Sequence, residues 1–123
     1  MLTFVRHWRM QSYMLTAVVE TESYLSKAEK IMTRFELDAV IDTIAASPIS
    51  GDIIKGTGGL RKMRIPLQGR GKRGGGRVIY WFHNEGYPAV LMWAFAKNEA
   101  ADLISAQSKT LSAIAATLIK ELK

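Results

Sequence analysis

The spacing of apolar residues predicts a strand and two helices in the first part of the chain. Residues 16–21 are short and β-branched, which favours a strand. Apolar positions then follow helical spacing over residues 23–32 and again over residues 37–45. Thr33 and Glu36 precede the second run with the spacing of a capping box. We therefore expect a strand followed by a helical hairpin.

The pattern changes to strands in the second part of the chain. Residues 60–65, 77–83 and 89–95 read as three strands, and a last helix is expected from about Ser105. The order β-αα-βββ-α predicts an α+β domain. We expect a small, mostly antiparallel, four-stranded sheet with the helical hairpin and the C-terminal helix packed on one face.

Strand alternation predicts which side chains share the other, open face of this sheet. Successive residues of a strand point to opposite sides. Met63 and Ile65 are expected to face the helices, together with Val78, Tyr80 and Phe82. The residues expected on the open face are Lys62, Arg64, Arg77, Ile79, Trp81 and His83. They would form a cationic groove with an aromatic floor, which suits phosphates and stacked bases. Core packing is the alternative for Trp81 and the favoured interpretation for Trp93.

Positive charge is concentrated in one glycine-rich segment of the chain. The net charge is +6, and residues 55–77 alone carry eight Lys or Arg and no acid. Such a concentration costs self-repulsion, so a polyanionic partner is the preferred explanation. A solvated hairpin tip that protects a sheet edge is the alternative. The residues expected to contact a nucleic acid are Arg61, Arg70, Lys72, Arg73, Trp81 and His83.

Length and composition narrow the class of protein. The chain has 123 residues, about the size of one domain, and no cysteine, which excludes disulfides and thiolate metal sites. No apolar run approaches the roughly 18 residues that a membrane span needs, and the N-terminus does not read as a signal peptide. We expect a cytoplasmic protein that does not act at a membrane.

Three motifs in order resemble one known family. GTGGLRK-x-R, GGGRVIY and AKNE are similar to segments of the RelE/ParE superfamily of toxin–antitoxin toxins, in particular its HigB-like RelE branch. The resemblance covers roughly residues 16–122. It implies a toxin that cleaves messenger RNA on the ribosome and so inhibits translation. It also implies a cognate antitoxin, expected to be a neutralising helix-turn-helix protein, as the partner beside ribosome and mRNA.

The resemblance also implies the catalytic residues, which are Lys62, Arg64, Arg77 and Lys97. Two positions depart from RelE proper: Ile104 stands where that protein has a tyrosine, and Asn98 where it has an arginine. Two other functions remain open at this point. One is inhibition of DNA gyrase, as in ParE-like toxins, and the other is a noncatalytic RNA-binding module.

RNA cleavage without a metal requires the 2′-hydroxyl to attack the neighbouring phosphorus. That reaction needs a proton acceptor, a proton donor and positive charge around the phosphorane. Lys62 or Lys97 is the candidate acceptor, Arg64 and Arg77 are the candidate charge stabilisers, and His83 is an alternative acceptor. The sequence shows no His, Asp and Glu spacing typical of a metal site, and GTGGLRK lacks the ending of a P-loop. No metal, cofactor or small-molecule partner is expected.

The N-terminus suggests a separate hypothesis. The resemblance begins near Leu15, and Met14 stands just before it. Residues 1–15 are therefore interpreted as an N-terminal extension before a single toxin domain over residues 16–123. The first thirteen residues are expected to precede a natural start at Met14.

Overall fold

The structure, a computed structural model, describes residues 4–7, 15–68, 75–97 and 105–121. In these ranges the chain forms six strands and three helices. The elements in chain order are β1 (Phe4–His7), β2 (Val18–Thr21), α1 (Glu22–Ile31), α2 (Arg34–Ala46), β3 (Asp52–Ile53), β4 (Leu60–Ile65), β5 (Gly76–Trp81), β6 (Ala89–Ala96) and α3 (Ser105–Glu121).

The strands form one mixed sheet in the order β1-β2-β6-β5-β4-β3. All neighbours are antiparallel except β2 and β6, which run parallel. The expected order β-αα-βββ-α is confirmed for the elements it named, and the expectation of a four-stranded sheet is wrong. β1 and β3 add a strand at each edge. β3 has only two residues, too few to show any periodicity in the sequence.

Both N-terminal helices begin at threonine caps. The Thr21 hydroxyl accepts from the Tyr24 backbone N–H (3.2 Å) and donates to the Leu91 carbonyl (2.8 Å), so the cap also ties α1 to β6. In α2 the expected capping box is confirmed. The Thr33 hydroxyl accepts from the Glu36 N–H (3.1 Å), and the Glu36 carboxylate accepts from the Thr33 N–H (2.8 Å).

Helices cover both faces of the sheet, so the expectation that all of them pack on one face is wrong. One face packs on α1 and α2 through a core that includes Tyr24, Ile44, Met63, Val78 and Tyr80. On the opposite face, Leu111, Ala115 and Leu118 of α3 belong to a second core with Leu60, Ile79 and Trp81. Every residue of β5 is buried, as is typical of a strand with both faces covered.

A bulge shapes the strand next to β5. Ile79 pairs with Trp93 and Tyr80 with Leu91, so Met92 is one extra residue in β6. Trp93 is half-buried and packs against the second core, while the Lys27 Nζ atom lies 5.0 Å from its ring centroid. In the described ranges, no helix is long and apolar enough to cross a bilayer.

Candidate functional site

Three of the basic residues expected in the site are brought together where β4 meets β5. Arg64 lies directly opposite Arg77 in the pairing of β4 with β5. Lys62 precedes Arg64 by two residues, so it lies on the same face of the sheet, opposite Ile79. Side chains at directly opposed positions have Cβ atoms about 5 Å apart. Ser50, Asp52, Lys62, Met63, Arg64 and Arg77 line a cleft of about 520 Å³, called here the cationic cleft.

Arg77 is the most deeply placed of these cations. Its side chain is 9% exposed, and Nη1 donates to the Gly76 carbonyl at 3.0 Å. A guanidinium carries five N–H donors in a planar fork, more than one carbonyl can use, and the fork matches two phosphate oxygens. Placing Arg64 opposite Arg77 puts like charges together, which destabilises the fold. An anion between them would relieve this repulsion.

Asp52 is a residue of the cationic cleft that the sequence analysis missed. It is exposed and lies directly opposite Lys62 in the pairing of β3 with β4. Because β3 is so short, nothing in the apolar pattern indicated that this acid would join the basic strand. Asp52 supplies the cleft with a carboxylate beside an ammonium group.

Lys97 lies at the same end of the sheet as Arg77. Its backbone N–H donates to the Gly75 carbonyl at 2.8 Å, which extends the pairing of β5 with β6 by one residue. Since Phe95 is opposite Arg77, alternation places Lys97 on the Arg77 face. Diagonal neighbours of this kind are roughly 7–8 Å apart. The exposed Lys97 is therefore expected near Arg77, and it is not among the described residues that line the cationic cleft.

A family model agrees with this architecture. The model of the RelE toxin of the RelE/RelB toxin–antitoxin system matches residues 16–123. The chain belongs to the RelE toxin family. The expected resemblance to the RelE/ParE superfamily is thereby confirmed, and the protein is a toxin of a toxin–antitoxin system, with an antitoxin as its partner.

In this toxin, Arg61 lies on the other face from the cationic cleft. It pairs with Tyr80, and its Nη1 donates to the carbonyls of Gly51 (2.8 Å) and Ile49 (3.4 Å). These bonds hold the segment that leads into β3. The position of Arg61 indicates a structural role, with its guanidinium turned towards the protein's own backbone.

The expected aromatic floor is also wrong. Trp81 is 0% exposed and belongs to the core beneath α3, where its Nε1 donates to the Gly58 carbonyl at 3.2 Å. Alternation placed Trp81 on the correct face of β5. The helix that covers this face was not anticipated, although the continuous apolar run from Val78 to Phe82 is typical of a strand buried on both sides.

His83 is separated from the cationic cleft. It follows Arg77 by six residues, a distance of roughly 20 Å along an extended chain. The exposed imidazole stacks on Trp81 with ring centroids 6.1 Å apart and meets the edge of Tyr87 at 4.9 Å. The geometry therefore gives no support to His83 as a proton acceptor for a phosphate held by Arg77.

Other expected residues lie outside the part of the chain that the structure describes. These are Met14, Arg70, Lys72, Arg73, Asn98 and Ile104. Arg70, Lys72 and Arg73 belong to a segment called here the basic loop, and the residues on either side of it, Gln68 and Gly75, are described. The Gln68 N–H donates to the Glu36 carboxylate at 2.6 Å, so the capping residue of α2 also fixes the chain where this loop begins. Within the described ranges, no three His, Asp or Glu side chains group closely enough to hold a metal ion.

Proposed function

We propose that this toxin is a ribosome-dependent endoribonuclease of the HigB-like type, which cleaves messenger RNA by metal-independent attack of a 2′-hydroxyl and thereby stops translation. The observation that supports this most strongly is the cationic cleft itself. Two arginines and a lysine from adjacent strands line one open cleft together with a carboxylate. Folding does not require such a concentration of like charge, and a phosphodiester fits it.

Arg64 and Arg77 are the groups that hold the reacting phosphate. Guanidinium groups stay protonated at any physiological pH, so they can stabilise charge but cannot remove a proton. Their opposed positions allow both forks to contact non-bridging oxygens of one phosphate. As the 2′-hydroxyl attacks, negative charge grows on these oxygens, and the contacts become stronger in the transition state.

Lys62 and Asp52 are the candidates for proton transfer. They face each other across β3 and β4 at the side of the cleft. One of them accepts the proton of the attacking 2′-hydroxyl, and a protonated neighbour, Lys62 or Lys97, donates to the departing 5′-oxygen. The basic loop, with Arg70, Lys72 and Arg73, supplies contacts to RNA or ribosome outside the reacting phosphate. The reaction takes place in the cytoplasm, and a helix-turn-helix antitoxin restrains it.

Primer extension on mRNA from cells that express the toxin tests this proposal. Arg64→Ala and Arg77→Ala should each remove a charge-assisted contact worth about 2.7–4 kcal/mol in the transition state, slowing cleavage roughly 10²–10³-fold. Arg34→Ala is the matched control. Arg34 is 80% exposed on α2 and lies 3.6 Å from Asp38, away from the cationic cleft. The Arg34→Ala variant should cleave mRNA at the same sites and rate as the wild type.

Primer extension, combined with assays of DNA supercoiling and RNA binding, distinguishes the alternative functions. Unchanged cut sites and rates with Arg64→Ala and Arg77→Ala would show that the cationic cleft is not the active site. An absence of cuts with the wild type, combined with altered DNA supercoiling, would assign the toxin to gyrase inhibition. RNA binding without any cut product would assign a noncatalytic role.

A further inference from the structure

One wall of the cationic cleft is a short segment that leads from α2 into β3. Residues 47–52, called here the wall segment, contribute Ser50 and Asp52 to the lining. The Ser50 N–H and hydroxyl both donate to the Ser47 carbonyl, at 3.0 and 2.7 Å, which closes a turn without attaching it to the sheet. β3 then contributes only two residue pairs, one of which is Asp52 with Lys62. A segment with so few ladder bonds opens easily unless other contacts hold it.

Two side chains of the sheet hold the wall segment from the face opposite the cationic cleft. They are Arg61 of β4 and Tyr80 of β5, which are directly paired and are called here the bracket. The Tyr80 hydroxyl accepts from the Gly51 N–H at 2.8 Å and donates to the Pro48 carbonyl at 2.7 Å. Arg61 Nη1 donates to the carbonyls of Gly51 and Ile49, at 2.8 and 3.4 Å. The bracket therefore binds four backbone groups immediately before β3.

The wall segment approaches the bracket so closely that only glycine fits at position 51. A Cβ atom on Gly51 would lie 2.9 Å from the Tyr80 hydroxyl oxygen and 3.1 Å from the Lys62 carbonyl oxygen. Tyr80 itself is 0% exposed and is fixed by the core beneath α1 and α2. The next residue after Gly51 is Asp52, so a displacement of Gly51 also displaces the Asp52 carboxylate. The core thus determines where this carboxylate lies in the cationic cleft.

We propose that Arg61 and Tyr80 are positioning residues of the nuclease, which hold the Asp52 carboxylate in the cationic cleft. This inference rests on the proposed function, which assigns proton transfer to Asp52 and Lys62. Neither bracket residue is among the described residues that line the cationic cleft, so neither contacts the reacting phosphate. Proton transfer requires heavy atoms within about 3 Å of each other, and a displacement of about 1 Å can slow a reaction roughly 10²-fold. Loss of a bracket contact therefore slows cleavage through Asp52.

Three possible roles of the bracket predict different kinetics. A direct RNA contact by Arg61 would change binding and its salt dependence. A purely structural contact would change the stability of the fold and leave the rate of the folded protein unaltered. A positioning role lowers kcat with little change in KM, and it does so only while Asp52 is present.

The test measures kcat and KM for cleavage of a defined mRNA on ribosomes by the purified full-length toxin. Arg61→Ala and Tyr80→Phe should each lower kcat at least about 10-fold and change KM less than about 3-fold. Asp52→Asn should lower kcat about 10²-fold, as expected for loss of a group that takes part in proton transfer. Adding Arg61→Ala to Asp52→Asn should lower kcat less than about 2-fold further, because the two substitutions remove the same contribution.

Thr33→Ala is the control for a loss of stability alone. It removes the hydroxyl that caps α2, and Thr33 is not among the described residues that line the cationic cleft. Its kcat should stay within about 2-fold of the wild type. Circular dichroism at the assay temperature establishes that each variant is folded. Tyr80→Phe keeps both Arg61 contacts, so it tests the proposal even where Arg61→Ala does not fold.

Several results would overturn the positioning role. These are an unchanged kcat in Asp52→Asn or in both bracket variants, and an equal effect of Arg61→Ala with and without Asp52. A raised KM with a weaker salt dependence and an unchanged kcat would assign Arg61 to RNA binding instead. Slow cleavage by Arg64→Ala, combined with wild-type rates in Arg61→Ala and Tyr80→Phe, would overturn the positioning role and leave the nuclease function standing. An uncut mRNA with the wild type would overturn both.

Discussion

Two buried tyrosines offer a matched test of how the fold is held together. Tyr24 and Tyr80 are both 0% exposed, and both belong to the core beneath α1 and α2. The Tyr80 hydroxyl accepts from the Gly51 N–H (2.8 Å) and donates to the Pro48 carbonyl (2.7 Å). The Tyr24 hydroxyl is buried and has no hydrogen-bond partner among the residues that the structure describes. Removing each hydroxyl should therefore have opposite consequences.

Tyr80→Phe leaves the buried Gly51 N–H without an acceptor, which costs about 1–3 kcal/mol. Pro48 is half-buried, so water can replace its lost donor at lower cost. A total near 2 kcal/mol, divided by an unfolding entropy of about 0.26 kcal/mol/K for a chain of this length, lowers Tm by about 8 °C. Arg61 also holds Gly51, so the fold should be retained. Tyr24→Phe removes an unsatisfied hydroxyl and should be neutral or stabilising by about 1 kcal/mol.

Urea denaturation and calorimetry of the wild type and both variants measure these differences. Circular dichroism on each variant establishes that the native structure is retained at 25 °C. Equal losses of stability in Tyr24→Phe and Tyr80→Phe would show that hydrogen bonding does not distinguish the two hydroxyls.

Three further predictions concern alkaline pH, the basic loop and the root of that loop. Burial, and secondarily the charge of Glu20, raises the pKa of Tyr24 above the usual value of 10. The unfolded state therefore loses this proton first, so the free energy of unfolding should fall as the pH rises above 10. The fall should be steeper in the wild type than in Tyr24→Phe, by up to about 1.4 kcal/mol per pH unit. Urea titrations at pH 9 to 11 measure the difference. Replacing Arg70, Lys72 and Arg73 with alanine should weaken ribosome binding and flatten its salt dependence while cut sites stay the same, as filter binding and primer extension would show. Glu36→Gln should lower the free energy of unfolding by about 1–2 kcal/mol, since one amide oxygen cannot replace both carboxylate oxygens that accept from Thr33 and Gln68; Glu29→Gln is the exposed control in the same denaturation assay.

Local signals in the sequence predicted most of the secondary structure. The capping box at Thr33, the β-branched run into Thr21 and the alternation in Leu60–Ile65 depend only on near neighbours, and all three correspond to observed elements. The alternation of side chains along each strand also placed Lys62, Arg64 and Arg77 on one face. The prediction holds because directly paired residues of adjacent strands share a face of the sheet.

Features that depend on distant segments could not be read from local patterns. α3 covers Trp81 from residues that come some thirty positions later in the chain. β3 brings Asp52 beside Lys62 through only two residues, and an apolar groove forms between α2 and a strand that follows it after a long connection. These contacts depend on which faces and edges meet in three dimensions.

The most direct measurement for the proposed cleavage is the reaction of purified toxin with ribosomes that carry a defined mRNA. Two mRNAs are compared, one with ribose throughout and one with a single 2′-deoxynucleotide on the 5′ side of the cut site. We expect cleavage of the first mRNA to a 2′,3′-cyclic phosphate and a 5′-hydroxyl, with no cut at the deoxy position in the second. Cleavage at the deoxy position, or a 5′-phosphate product, would contradict this expectation.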